Sequence, residues 1–173
     1  MNKVIGCFVQ ALLLFCFSTG APAQDYSVGN WSVLKSMSDT QIAKVINGEN
    51  STGVICFVSS NSCLAYATLG FKCDDKDRYP LLINSETGAF NSLATCRHLS
   101  STMQILVIDE FNSMVSAFES GGEIGFASPL QSGQFKVVRF STIGATAAIK
   151  DARTTPAAPA TNNKSVGSKP QLL

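Results

Sequence analysis

Three groups of side chains in this sequence could carry chemistry. They are four cysteines between positions 56 and 96, the single histidine His98, and the acidic run Asp74-Asp75-Lys76-Asp77-Arg78. The cysteines can cross-link or ligate a metal, the imidazole can act as a general base, and the carboxylates can hold calcium. Only the first survives a closer reading. No Cys-x-x-Cys occurs and there is one histidine, so no zinc pattern fits. Lys76 and Arg78 interrupt the carboxylates, and the glycine and distal glutamate of an EF-hand are missing, so the run reads as a solvated loop. No Gly-x-Ser-x-Gly, phosphate-loop or dinucleotide fingerprint supplies His98 or the many serines with partners. The expectation is a protein with no catalytic residues, no metal and no cofactor, and hence no enzyme.

The cysteines read as disulfides because of where the chain goes. Met1-Asn2-Lys3 leads into an almost wholly apolar run from Val4 to Phe17, and Ala21-Pro22-Ala23 follows. A positive start, a hydrophobic centre and an Ala-x-Ala end make a secretory signal peptide, 1–23, cleaved after Ala23. The apolar run is shorter than the ~20 residues of a membrane span. Phe15 is too large for the small residue that would precede a lipidated Cys16. Cleavage removes Cys7 and Cys16 and leaves Cys56, Cys63, Cys73 and Cys96, an even number in an oxidising compartment.

Their spacing suggests how they pair. Val54 to Val58 and Cys63 to Tyr66 are strand-forming runs, separated by Ser59-Ser60-Asn61-Ser62. With Ser59-Ser60 as the turn, Cys56 faces Cys63, and directly opposed residues stand about 4.5–5.5 Å apart at Cβ, near bridging distance. Cys73 is then left with Cys96. Four cysteines allow three connectivities, and one extra turn residue would bring Cys56 to Cys73 or Cys96 instead.

The elements that must hold these bridges are mostly strands. Residues 24–153 form one domain of about 130 residues, enough for a single core. It opens with a strand from Tyr26 to Leu34, with Trp31 and Val33 on one side and Trp31 as a core anchor. A strand at Gln41–Ile46 ends in the turn Asn47-Gly48. A second hairpin runs from Tyr79 to Asn84 and from Ala89 to Cys96, and a strand follows at Met103–Ile108. Phe111, Met114, Val115 and Phe118 then fall on one helix face, with Asp109 as its cap and Gly121-Gly122 as its stop. Strands at Ile124–Ala127 and Phe135–Phe140 lead to a closing helix from about Ala145, with Ile149 on its buried face. The fold class is mainly β, an antiparallel β-sandwich-like arrangement stapled by disulfides, with two short helices near the C-terminus covering its ends or edges. Residues 154–173 are rich in Pro, Ala, Ser and Asn and carry too few large apolar residues to order themselves, so they read as a disordered tail.

Trp31-Ser32-Val33, the helix around Phe111–Phe118 and the ending Phe140-Ser141-Thr142-Ile143-Gly144-Ala145-Thr146-Ala147-Ala148 resemble the invasion-associated locus B family of secreted bacterial proteins. That family is similar in the order of an early Trp-x-Val strand, a short amphipathic helix, two strands and a Ser-Leu-x-Gly-Phe-x-x-Ala ending. Ala145 stands here where the family has an aromatic residue, and no cysteine closely follows Trp31. The resemblance implies a periplasmic or secreted β-sandwich associated with host-cell invasion, and it carries over no catalytic residue.

Charge narrows the partner. Without Lys3, 12 basic residues face 12 acidic ones, so no field is available to hold nucleic acid or an anionic membrane. The expected partner is a protein, and the expected function is that of an exported binding or interaction module. The alternatives are an accessory subunit of an envelope or secretion assembly, or a small secreted hydrolase or inhibitor. The residues of the binding site are not legible at this level.

Overall fold

The computed structural model describes residues 25–35 and 39–154. The expected leader, with its cleavage after Ala23, and nearly all of the expected tail lie outside the described residues. The elements are β1 (Tyr26–Val28), β2 (Trp31–Lys35), β3 (Thr40–Asn47), β4 (Asn50–Phe57), β5 (Ser62–Thr68), β6 (Arg78–Ser85), β7 (Gly88–His98), β8 (Gln104–Ile108), α1 (Phe111–Glu119), β9 (Glu123–Pro129), β10 (Phe135–Ser141) and α2 (Ala145–Ala152). All pairings are antiparallel, and they join the strands into one ten-stranded sheet in the order β1-β2-β3-β4-β5-β8-β7-β6-β9-β10.

The sheet curls until β10 lies against β3 and β4. The Asn47 side-chain amide donates to the Arg139 carbonyl across that junction, at 2.8 Å. The two halves enclose one core, which is the sandwich-like arrangement the patterning predicts. Alternation along each strand decides what goes in: Trp31 and Val33 from β2, Leu81 and Ile83 from β6, Ile124 and Phe126 from β9, and Phe140 from β10 are all buried. A side chain of this size contributes about 1.5–3 kcal/mol when fully buried. The helices do more than cover an end, because Met114, Phe118 and Ile149 have no exposed surface and join the same core. A smaller apolar cluster of Ile55, Tyr66 and Ile105, flanked by Ile42, Leu64 and Val107, sits apart from this core.

Local chemistry departs from the sequence expectation at two points. The expected strand from Tyr26 to Leu34 is a tight hairpin, with Val28 opposite Trp31 across Gly29-Asn30. Gly29 takes a φ of +59°, which a glycine adopts freely, and the turn follows from it. Asp109 does not cap α1. The N-cap position is Glu110 and no side chain caps it, while the Asp109 carboxylate pairs with the Arg78 guanidinium. The stop at Gly121-Gly122 holds, with φ of +81° and +72° just beyond the last turn.

The start of α2 is tied to that first hairpin. The Asn30 N–H donates to the Ile143 carbonyl at 2.9 Å. Gly144, at the N-cap with φ +94°, presses so closely that a Cβ would stand 1.9 Å from the Val28 carbonyl oxygen. At the far end of α2 the Asp151 carboxylate accepts from the Tyr26 hydroxyl and lies 2.9 Å from Lys35 Nζ. The Tyr26 hydrogen bond and, after it, the Lys35 charge hold Asp151 below the usual carboxylate range, against the opposing effect of burial.

Both disulfides are present. Cys56 and Cys63 are directly opposed on β4 and β5 with Cα atoms 4.1 Å apart, in the register set by a turn at Ser59-Ser60. Cys73 and Cys96 join the loop after β5 to β7, with Cα atoms 6.0 Å apart. The sequence separations are 7 and 23. On the chain-entropy estimate the longer loop is worth about 1 kcal/mol more. Urea unfolding of the double variants Cys73→Ala/Cys96→Ala and Cys56→Ala/Cys63→Ala is expected to show that difference. Equal losses would mean that native packing around the bridges, not loop closure, sets their value.

Candidate interaction surface

The residues singled out for chemistry come together, but as a structural knot. The loop 70–77 folds onto the end of β7. The Lys76 N–H donates to the Cys96 carbonyl at 2.9 Å, and the Cys96 N–H donates to the Asp77 carbonyl at 2.8 Å. The Cys73 N–H donates to Gln104 Oε1 at 3.1 Å, and the His98 N–H donates to Asp75 Oδ1 at 3.1 Å. His98 Nε2 donates to the Cys73 carbonyl at 2.8 Å, an engagement that fixes the tautomer at that nitrogen. Among the described residues one group of three His, Cys, Asp or Glu side chains is close enough to share an ion, namely Cys73, Cys96 and His98. Its two sulfurs are already bonded to each other. The ring, the bridge and Asp75 thus tie the acidic loop to the sheet.

The surface with the most to offer a partner lies elsewhere, on the outer face of β7, β6, β9 and β10. Leu81 and Ile83 of β6 point to the core, so period-two alternation turns Pro80 and Leu82 outward. The register then builds two cross-strand rows. Pro80 lies opposite Leu93 of β7, and Phe135 of β10 lies opposite Pro129 of β9. Leu82 and Val137 both lie opposite Ala127. Leu82 is 45 % exposed, Leu93 41 %, Val137 56 % and Phe135 64 %. Between them runs a groove of about 540 Å³, lined by Pro80, Leu82, Leu93, Pro129 and Phe135 and also by the polar Asn91, which lies opposite Leu82, and Ser92. Its rim carries the Arg78–Asp109 ion pair and the exposed carboxylate of Glu110. Among the described residues Glu110 has no ion-pair partner.

Scattered exposed leucines are ordinary, whereas a continuous apolar face marks a place where something docks. The signal was present in the sequence as the unbroken run Pro80-Leu81-Leu82-Ile83, whereas Lys136 interrupts Phe135-Lys136-Val137-Val138. A strand that faces water on one side alternates apolar and polar residues, and an unbroken apolar run belongs to a strand covered on both faces. These strands have apolar residues on both faces and cover on one.

The fold is similar to the crystal structure of invasion associated protein B from Bartonella henselae. The TM-score is 0.55 at 14 % identity, over 75 % of this chain and 95 % of that one. The likeness is one of fold. No protein-family model matches the chain, and no curated protein matches it by sequence. Among the described residues no helix is long and apolar enough to cross a membrane.

Proposed function

We propose that this chain is an exported interaction module of the bacterial periplasm or cell surface, and that it binds a protein partner through the outer face of β7, β6, β9 and β10. The observation that carries the reading is the exposed double row of Pro80, Leu82, Leu93, Pro129, Phe135 and Val137, joined through the half-buried Ala127. Two paired disulfides suit an oxidising compartment, as the apolar leader does. The structural neighbour is an invasion associated protein, which adds an association with invasion to the proposal. In this proposal His98 has a structural role, its Nε2 donating to the Cys73 carbonyl.

The test is a pull-down from envelope extract with the oxidised protein and with Leu82→Glu/Phe135→Glu. Both replaced side chains are exposed, so near-UV and far-UV circular dichroism should match the parent. A partner retained by the parent and lost with the double variant supports the reading. A partner retained equally by both places the binding site on another face. Capture of a fixed set of envelope proteins in constant ratio would favour the accessory-subunit reading.

A further inference from the structure

The two disulfides differ in what surrounds them. Cys73 and Cys96 are both buried, and the backbone bonds of Lys76 and Asp77 tie the loop 70–77 across Cys96. In the other pair Cys56 is buried, but Cys63 is only half-buried. Both of these residues line a groove of about 390 Å³. One wall is the tip of the β4-β5 hairpin, with the polar Asn61 and Ser62. The other is Phe111 at the start of α1 and Arg153 just beyond α2. The Arg153 guanidinium lies over the Phe111 ring, 5.4 Å from its centroid. The backbone there is pinned to the strand beside β4. The Gln41 side-chain amide donates to the Thr154 carbonyl at 3.3 Å, and Gln41 stands directly opposite Cys56. A cation is thus held at the groove that one end of the bridge lines in reach of solvent.

We propose that Cys56–Cys63 is a thiol-exchange site whose co-reactant is a thiolate. The entering sulfur attacks Cys63 Sγ and forms a new S–S bond there. The Cys56–Cys63 bond breaks, its electron pair leaves on Cys56 Sγ, and that thiolate takes a proton from water. A second thiolate attacking the attached sulfur releases Cys63 as well, so that two entering thiols become one disulfide while the bridge becomes two thiols. Which sulfur can be reached and how well the leaving thiolate is stabilised set the rate of such exchange. A neighbouring guanidinium favours thiolate over thiol, so Arg153 serves both the entering and the leaving sulfur. Opening the bridge leaves the hairpin in place. The β4-β5 ladder runs from Ser51 opposite Thr68 to Phe57 opposite Ser62. The Asp39 carboxylate accepts from the Ser59 N–H and hydroxyl, and its carbonyl accepts from the Val58 N–H at 2.8 Å. One disulfide is therefore built to stay and the other to exchange, whatever binds the apolar face of the sheet.

The test treats the full oxidised protein, without denaturant, with limiting reduced glutathione and, separately, with reduced thioredoxin. Acid quenching, alkylation and peptide mass spectrometry locate the products. The expected glutathione product carries the adduct on Cys63 and a free thiol at Cys56, and it forms about tenfold or more faster than Cys73–Cys96 opens. Arg153→Gln should slow it several-fold, Arg153→Lys should restore most of the rate, and the near-UV circular dichroism should persist. Faster opening by glutathione assigns the site to small thiols, and faster opening by thioredoxin assigns it to protein thiols. Opening of both bridges at one rate would overturn the proposal, as would glutathione found on Cys56, a rate indifferent to the charge at position 153, or no reaction with either probe. None of these results bears on the pull-down, so the exchange site and the binding face fail separately.

Discussion

Trp31→Ala is expected to remove about 3–5 kcal/mol from the unfolding free energy, the range for deleting a large buried aromatic side chain. The indole has no exposed surface. It meets the Phe118 ring edge-on at 5.1 Å between centroids, and Nε1 donates to the Ser141 carbonyl at 3.0 Å. One side chain therefore joins β2, α1 and the end of β10. Truncation opens a cavity among three elements and leaves a carbonyl without its donor. A domain of this size is stable by about 5–15 kcal/mol, so the variant should sit near the edge of folding at 37 °C. Trp31→Phe keeps an aromatic ring, loses the hydrogen bond and some volume, and should cost clearly less. Urea unfolding measures both. A loss below about 1.5 kcal/mol for the alanine variant would mean that Trp31 fills space the core can do without.

The second large effect is expected at Gly144. Two costs coincide there. A residue with a Cβ resists a φ of +94°, by about 1–2 kcal/mol. The added Cβ also meets the Val28 carbonyl oxygen at 1.9 Å, and backbone cannot rotate away as a side chain does. Overpacking of that kind adds about 1–3 kcal/mol, so Gly144→Ala should lose about 2–5 kcal/mol. Gly48 separates the two costs. It has a φ of +59° and no atom within 4 Å of the missing Cβ, so Gly48→Ala should show the conformational cost alone. Matching losses at the two sites would sink the claim that contact between α2 and the β1-β2 hairpin is what requires glycine. That contact also gives the Ser-x-x-Gly ending its physical meaning: the residue lets two backbones touch.

Much of the fold could be read before the structure, for identifiable reasons. Cys56 and Cys63 were legible as a pair because a tight turn transmits register directly to opposed residues. The helix at Phe111 was legible because four apolar residues fell on one face. What failed depended on distant partners. Asp109 looks like a helix cap locally, but Arg78, 31 positions away, takes its carboxylate. Gly29 fits a strand until α2, more than a hundred residues later, needs a turn to press against. The exposed outer face of β6 and β10 was not legible because an apolar run predicts cover on both sides, and periodicity cannot say which face stays open to solvent.

The strand order has a consequence for how the chain reaches this state. β8 is the eighth strand made, yet it sits between β5 and β7, with β6 and β7 already placed beyond it. Ala65–Ala67 find their partners at Leu106–Ile108, about 40 positions away, and until then β5 and β7 each present a bare edge toward the vacant slot. Contacts of such sequence separation slow folding toward the millisecond-to-second range, and open edges in that interval invite pairing with other chains. Cys73–Cys96 spans this gap from the loop after β5 to the β7 strand that flanks β8. A Cys73–Cys96 bridge formed before β8 docks would hold the two banks of the slot together, a jig during assembly as well as a staple in the finished molecule.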